Sequence, residues 1–254
     1  DIPHVAVTDH YIRKRPIADT TVKKITAFFG LKCFNNDRPD AITTARGYME
    51  FYERYAQSKG LLDSALLYLN KQSGIEASKK QNRDFIRAYY LLHDYQKAID
   101  YARALNPASV NDAWTAYRVG ECYYQLEQPD SALGWYRRAT EIWKYSMDFQ
   151  NKYGTCLLAL NRLSDALSVF NFVVAENPDH ISANTNLGFI YMQQGNNAMA
   201  YGYMQRANHL DPDYEQNLIN LAVWYHNNQQ QSKGYIDITM PEHISTGFSL
   251  QATP

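Results

Sequence analysis

Few residue sets in this chain are of a type and spacing to do chemistry. His4 and His10 lie in an N-terminal stretch bracketed by Pro3 and Pro16, where Val5 and Val7 favour extended backbone. Side chains alternate along a strand, so His4, Ala6, Thr8 and His10 would share one face. Two imidazoles on one face could ligate a metal or haem iron; the alternative is ordinary hydrogen-bonded surface histidines. The cysteines Cys33, Cys122 and Cys156 form no Cys-x-x-Cys pair. That argues against a zinc site or a covalently attached haem within this chain. Cys122 and Cys156 read as small buried residues. No Gly-rich phosphate loop, His-Glu-x-x-His or nucleophile elbow occurs, so no catalytic site is expected here. His93, His180, His209 and His226 fall near turns or helix ends, where loop or dipole roles are the default.

The elements that must position these residues follow a period of 34. Ala98, Ala132, Ala166 and Ala200 repeat at that interval, as do Tyr89, Tyr123, Leu157 and Tyr191. Gly120, Gly154 and Gly188 keep it too, and so do Pro178 and Pro212. A period of that length signals stacked helix–turn–helix units. In the unit 181–214, Asn184, Leu187, Gly188 and Tyr191 fall on one helical face. Gly195-Asn196-Asn197 supplies the turn, Ala200, Met204 and Ala207 the facing stripe, and Asp211-Pro212 the stop. Gly188 and Ala200 would let two backbones approach, with Tyr191 and Met204 filling the rest. One hairpin cannot bury its apolar face alone; stacked copies can.

These residues resemble the tetratricopeptide repeat. Leu187-Gly188, Tyr191, Ala200, Ala207 and Pro212 carry the pattern, as do Tyr153-Gly154, Leu157, Ala166, Phe170 and Pro178 in the unit before. The unit 113–146 has Val119-Gly120, Tyr123, Ala132, Tyr136 and Ala139, with Lys144 at the proline position. The unit 79–112 keeps Phe85, Tyr89 and Ala98 but has Ile86 for Gly. A degenerate unit over about 46–78 is anchored by Ala56, Gly60 and Ala65, and Leu218, Leu221, Ala222 and Tyr225 read as a closing helix. The resemblance implies an all-α fold, a right-handed α-solenoid of helix hairpins with non-helical N- and C-terminal extensions.

In such an array the first helices line a concave groove that binds a protein or peptide partner. Helical spacing puts Lys80, Arg83, Arg87 and Tyr90 on that face, then Trp114, Tyr117, Glu121 and Tyr124, then Asn151 and Thr155, then Thr185 and Phe189. Arginine with Trp and Tyr is the composition of interface hot spots. A peptide carboxylate at Arg83 and Arg87, its side chains gripped by the aromatics, fits this set. The family's Lys/Asn clamp is not reproduced: Arg83 and Arg87 replace that pair, and Arg118 stands where Asn is expected.

The N-terminal stretch resembles a segment of bacterial multihaem c-type cytochromes that carry a C-terminal repeat array. Ile2, Pro3, His4, Val5, Thr8, Asp9, His10 and Ile12 carry the match. It implies that His4 or His10 is an axial ligand to a haem c attached to residues upstream of Asp1, or to a haem-bearing chain or domain. The two resemblances together imply an interaction scaffold forming the C-terminal part of a multihaem cytochrome involved in electron transfer. Its compartment would be extracytoplasmic, in the periplasm or on the surface of a bacterium. Two alternatives stand beside this: part of a multihaem oxidoreductase acting on a small nitrogen or sulfur oxyanion, and a stand-alone adaptor with no redox role.

The rest of the chain bounds these readings. Net charge is −1, so no nucleic-acid partner is expected. No apolar run is long enough to cross a bilayer and no signal peptide is present. The chain lacks an initiating Met, which reads as a processed product or fragment. Most of the 21 tyrosines sit at helical spacings and read as core or groove. The organisation expected is 1–16 as a cytochrome-like tail, 17–45 as a linker with a short helix, 46–231 as the array and 232–254 as an extended tail.

Overall fold

The computed structural model describes residues 30–31, 39–71 and 78–231, the side chains of 78–81 and 229–231 excepted. The expectations for residues 1–16, including His4 and His10, for Cys33 and for the C-terminal tail lie outside the described residues. Two compact units divide the chain, Asp1–Arg162 and Leu163–Pro254. The described residues are all-α, as the periodicity requires, with eleven α-helices and no strand.

The first unit holds α1 (Ala41–Arg54), α2 (Lys59–Asn70), α3 (Ser78–Leu91), α4 (Tyr95–Ala102), α5 (Ala113–Gln125), α6 (Pro129–Ile142) and α7 (Met147–Ala159). α1 pairs with α2, α3 with α4 and α5 with α6, and α3 also packs on both α1 and α5. The second unit holds α8 (Leu163–Glu176), α9 (Ile181–Gln193), α10 (Asn197–Leu210) and α11 (Glu215–Gln231). There α9 pairs with α10, and α11 packs on both.

Small residues set the closeness of each pair. Ala98, Ala132, Ala166 and Ala200 are each 0% exposed. A Cβ added at Gly120 would come 2.9 Å from the Tyr136 ring. One at Gly188 would come 2.6 Å from Met204 Cγ and 3.2 Å from the Ala200 carbonyl. The glycine is therefore the contact itself, and a large side chain from the second helix lies across it.

The turns that end α3, α5, α7 and α9 follow one recipe, which the sequence showed only at Gly195. His93, Glu127, Asn161 and Gly195 share a register and all have positive φ, at 58°, 58°, 56° and 73°. Their amides donate to the carbonyls of Tyr90, Tyr124, Leu158 and Met192 at 2.8–3.0 Å. The next amides, of Asp94, Gln128, Arg162 and Asn196, each donate at 2.9 Å to Tyr89, Tyr123, Leu157 and Tyr191. This is a Schellman cap, which satisfies carbonyls orphaned at the helix end. Asp94 and Asn196 then cap the following helix, accepting from the amides of Lys97 and Met199 at 3.2 Å.

α1 starts at Ala41: Asp40, one of the two capping residues that the sequence offers there with Thr43, accepts the Thr43 amide at 2.7 Å. Two expectations need correction. Of the residues meant to anchor the degenerate unit, Ala65 is buried, but Ala56 and Gly60 are exposed. In α11, Ala222 is exposed while Asn217, Asn220 and Leu221 are buried. The Asn217 amide donates to the Met204 carbonyl at 2.9 Å, so a polar residue occupies a position that an apolar stripe skips.

Gly188→Ala is expected to destabilise by about 1–3 kcal/mol through overpacking. Gly202→Ala, also helical but with nothing within 4 Å of its added Cβ, is expected to stabilise by about 0.5–1 kcal/mol. Urea midpoints moving in opposite directions would check the pair. Glu127→Gly is expected to stabilise by up to about 1 kcal/mol by relieving left-handed backbone, and Asn161→Gly by less, since Asn tolerates that region.

Candidate functional site

The face formed by α1, α3, α5 and α7 carries the residues singled out for binding. Its charges are largely satisfied within the chain. Arg87 donates to Glu50 at 2.8 Å and to Glu53. Arg118 reaches Glu53 at 3.3 Å and lies over the Trp114 ring, 5.2 Å from its centre. Arg46 makes a bidentate pair with buried Asp84 at 2.8 and 2.9 Å. Glu121, itself buried, accepts from the Tyr136 hydroxyl and from Lys152 at 3.1 Å. Glu53, Arg87 and Glu121 fall in one repeat register with alternating sign; Glu53 pairs with Arg87 across α1 and α3, and Glu121 with Lys152 across α5 and α7.

This changes the picture of a peptide carboxylate held by Arg83 and Arg87. Arg87 is already engaged by two carboxylates from α1, and Arg83 donates to the Asn111 side chain at 2.8 Å. Burial lowers the Arg87 pKa, and its bonds to Glu53 and Glu50 more than reverse that. Burial, followed by the nearby positive charge of Arg87, lowers that of Arg118. The Lys80 side chain lies outside the described residues. The opposing acids were missed because they sit on α1, where the repeat pattern is weakest.

The aromatic residues divide between packing and surface. Tyr117 stacks on Phe149 at 4.7 Å and Tyr124 meets Tyr136 edge-on at 6.3 Å, so both rings wedge between helices. Asn151 is buried in α7. Trp114 remains 45% exposed, edge-on to Phe149 at 5.0 Å. Exposed Trp143, 6.5 Å from it, extends the patch. Tyr90 is half-buried, its phenol pushed up to about 12 by burial and then by the charge of Glu121. Thr185 and Phe189 belong to the second unit, where Thr185 is buried and Phe189 half-buried.

The thiols offer no nucleophile at neutral pH. Cys122 and Cys156 are free and buried, and burial raises them to about 12 and about 11. Among the described residues no group of His, Cys, Asp and Glu is arranged to hold a metal ion. No helix among them is long and apolar enough to cross a membrane.

Comparison with known proteins agrees with the helical-repeat fold. Residues 154–215 match the tetratricopeptide-repeat model, and residues 91–173 match the model described as anaphase-promoting complex, cyclosome, subunit 3. Tetratricopeptide repeat protein 8 of Caenorhabditis elegans is 25% identical over 142 residues, covering 55% of this chain and 28% of that protein. Among solved structures, YrrB superposes with a TM-score of 0.57 at 24% identity, covering 72% of this chain and 90% of its own. MamA superposes at 0.55 and 18% identity, covering 61% and 92%.

Acidification should weaken the fold in a defined window. Glu50 is raised by burial but lowered more by Arg87 and Arg54; Asp40 is held down by the Thr43 amide and Asp94 by Lys97. Carboxylates depressed in the folded state contribute stability that is complete above their unfolded values, about 4, and lost as pH falls through the folded ones. The thermal midpoint is expected to fall as pH drops from about 5 to about 3. Glu50→Gln should flatten part of that slope. Paired helices closed at small-residue crossings, with matches to the repeat model and to solved repeat structures, make this the fold of a tetratricopeptide-repeat protein.

Proposed function

We propose that the chain is a protein-interaction scaffold that grips a peptide segment of its partner on the first-helix face of the N-terminal unit. The observation that carries this reading is Trp114, a large ring left 45% exposed with the Arg118 guanidinium on its face. Trp and Arg, held in fixed geometry and partly desolvated, are the residue types that dominate interface energetics. Because Arg87, Arg118 and Glu121 are ion-paired inside the chain, the aromatic surface, more than net charge, selects the partner. The fold likeness to YrrB, described as a tetratricopeptide protein with an unusual peptide-binding site, supports the same class of ligand.

The resemblance of residues 2–12 favours a second, compatible reading. The scaffold would be one part of an extracytoplasmic multihaem cytochrome, serving electron transfer or reduction of a small oxyanion. Haem absorption and intact mass of the native protein decide this; a native protein without haem leaves the adaptor alone.

Selection of displayed random dodecapeptides against the whole chain tests the first reading. Trp114→Ala is expected to weaken the enriched peptides at least about tenfold, a loss of roughly 1.4 kcal/mol. Leu67→Ala, at a comparably exposed position on the second helix α2, is expected to leave them unchanged. The reverse pattern would move the site off this face.

A further inference from the structure

We propose that a cleft between α1, α3 and α5 receives a basic side chain, Lys or Arg, of the bound peptide. The inference rests on the reading that this face binds a peptide, and adds the chemistry of one subsite. The cleft has a volume of about 420 Å³, ample for one long side chain with its water. Tyr52, Tyr90 and Tyr95 form its walls, and Glu121 and Gln125 reach it from α5. No Lys or Arg lines it.

The walls are held before any ligand arrives. Tyr52 donates to the Leu91 carbonyl at 3.4 Å, and the Tyr95 hydroxyl meets His93 Nδ1 at 2.9 Å. The rings of Tyr90 and Tyr95 are 6.5 Å apart and inclined at 51°, two faces of an open cage. Aromatic faces attract cations, and a carboxylate within the cage adds a charge for them to meet. Glu121 has that capacity: each oxygen accepts one bond, from Tyr136 and from Lys152, while a carboxylate offers about four acceptor sites. In the cleft, burial raises the phenols of Tyr90 and Tyr95, and the charge of Glu121 adds to this at Tyr90 and, after Cys122, at Tyr95. An acidic side chain there would face Glu121. An apolar one would leave the spare acceptor sites of Glu121 unused.

NMR titration of the full chain with acetyl-Gly-Gly-Lys-Gly-Gly-amide, its Arg counterpart and its norleucine counterpart tests the assignment. Saturable shifts at the amides of 90–95 and 121–125 are expected with Lys and Arg, and at least about fivefold weaker binding with norleucine. Glu121→Gln is expected to remove the preference for the charged peptides. Because Glu121 also holds Tyr136, Tyr95→Leu, at the rim, provides a variant that spares that bond and should weaken binding as well. Absence of saturable shifts, equal binding of norleucine, or indifference to Tyr95→Leu would overturn the subsite. Failure here is separable from failure of the wider reading. Selected dodecapeptides that depend on Trp114, yet lose nothing when their basic residues become norleucine, would sink the cleft alone; peptides indifferent to Trp114 would sink both.

Discussion

Two helix backbones can come close only where no side chain stands between them, and the hairpins of this protein are built around that steric condition. At Gly120 and Gly188 there is no room for even a methyl group without movement of Tyr136 or Met204. Close crossing brings the alanines at the repeat register into full burial and lets one large side chain close the gap. The turn follows from the same constraint. A pair this tight needs a short connection, and the Schellman cap reverses the chain while satisfying carbonyls at the end of the first helix. Glu127 accepts a left-handed backbone for this reason, although its side chain gains nothing by it.

Charge plays a different part. Glu53 meets Arg87 and Glu121 meets Lys152 across neighbouring first helices, so the face that could have been a strong field for an acidic or basic partner is nearly balanced. What it presents to solvent is aromatic: Trp114 with Arg118 against it, and the tyrosines around the cleft. Specificity on such a surface comes from ring placement and from single unsaturated acceptors more than from long-range attraction.

The helical repeat was legible because alanine and glycine at the crossings leave a chemical signature every 34 residues. The turn register was legible only at Gly195. His93, Glu127 and Asn161 share nothing with it but a backbone conformation, and a non-glycine residue gives no unambiguous mark of it. The face was legible in part. Trp114 is left exposed and Tyr90 half-buried, but Tyr117, Tyr124 and Asn151 are drawn into the packing between helices. The neutralising role of Glu50 and Glu53 escaped because their helix, although its Asp40 cap was legible, carries none of the repeat's small residues in phase. The buried edge of α11 escaped for a chemical reason: asparagine can be a core residue when its side-chain amide reaches a backbone carbonyl of the neighbouring helix, here that of Met204 in α10.

Glu53 belongs to the first helix, yet it receives one guanidinium from α3 and another from α5. Stacked-repeat stability is ordinarily a sum over adjacent neighbours, so that ends can peel away one unit at a time. A carboxylate shared across three successive units breaks that locality. Were α1 to detach, Arg87 and Arg118 would be left facing each other over a vacated countercharge, and the penalty would fall on the third unit as well as the second. The shared carboxylate thereby ties the first hairpin energetically to the third as well as to the second.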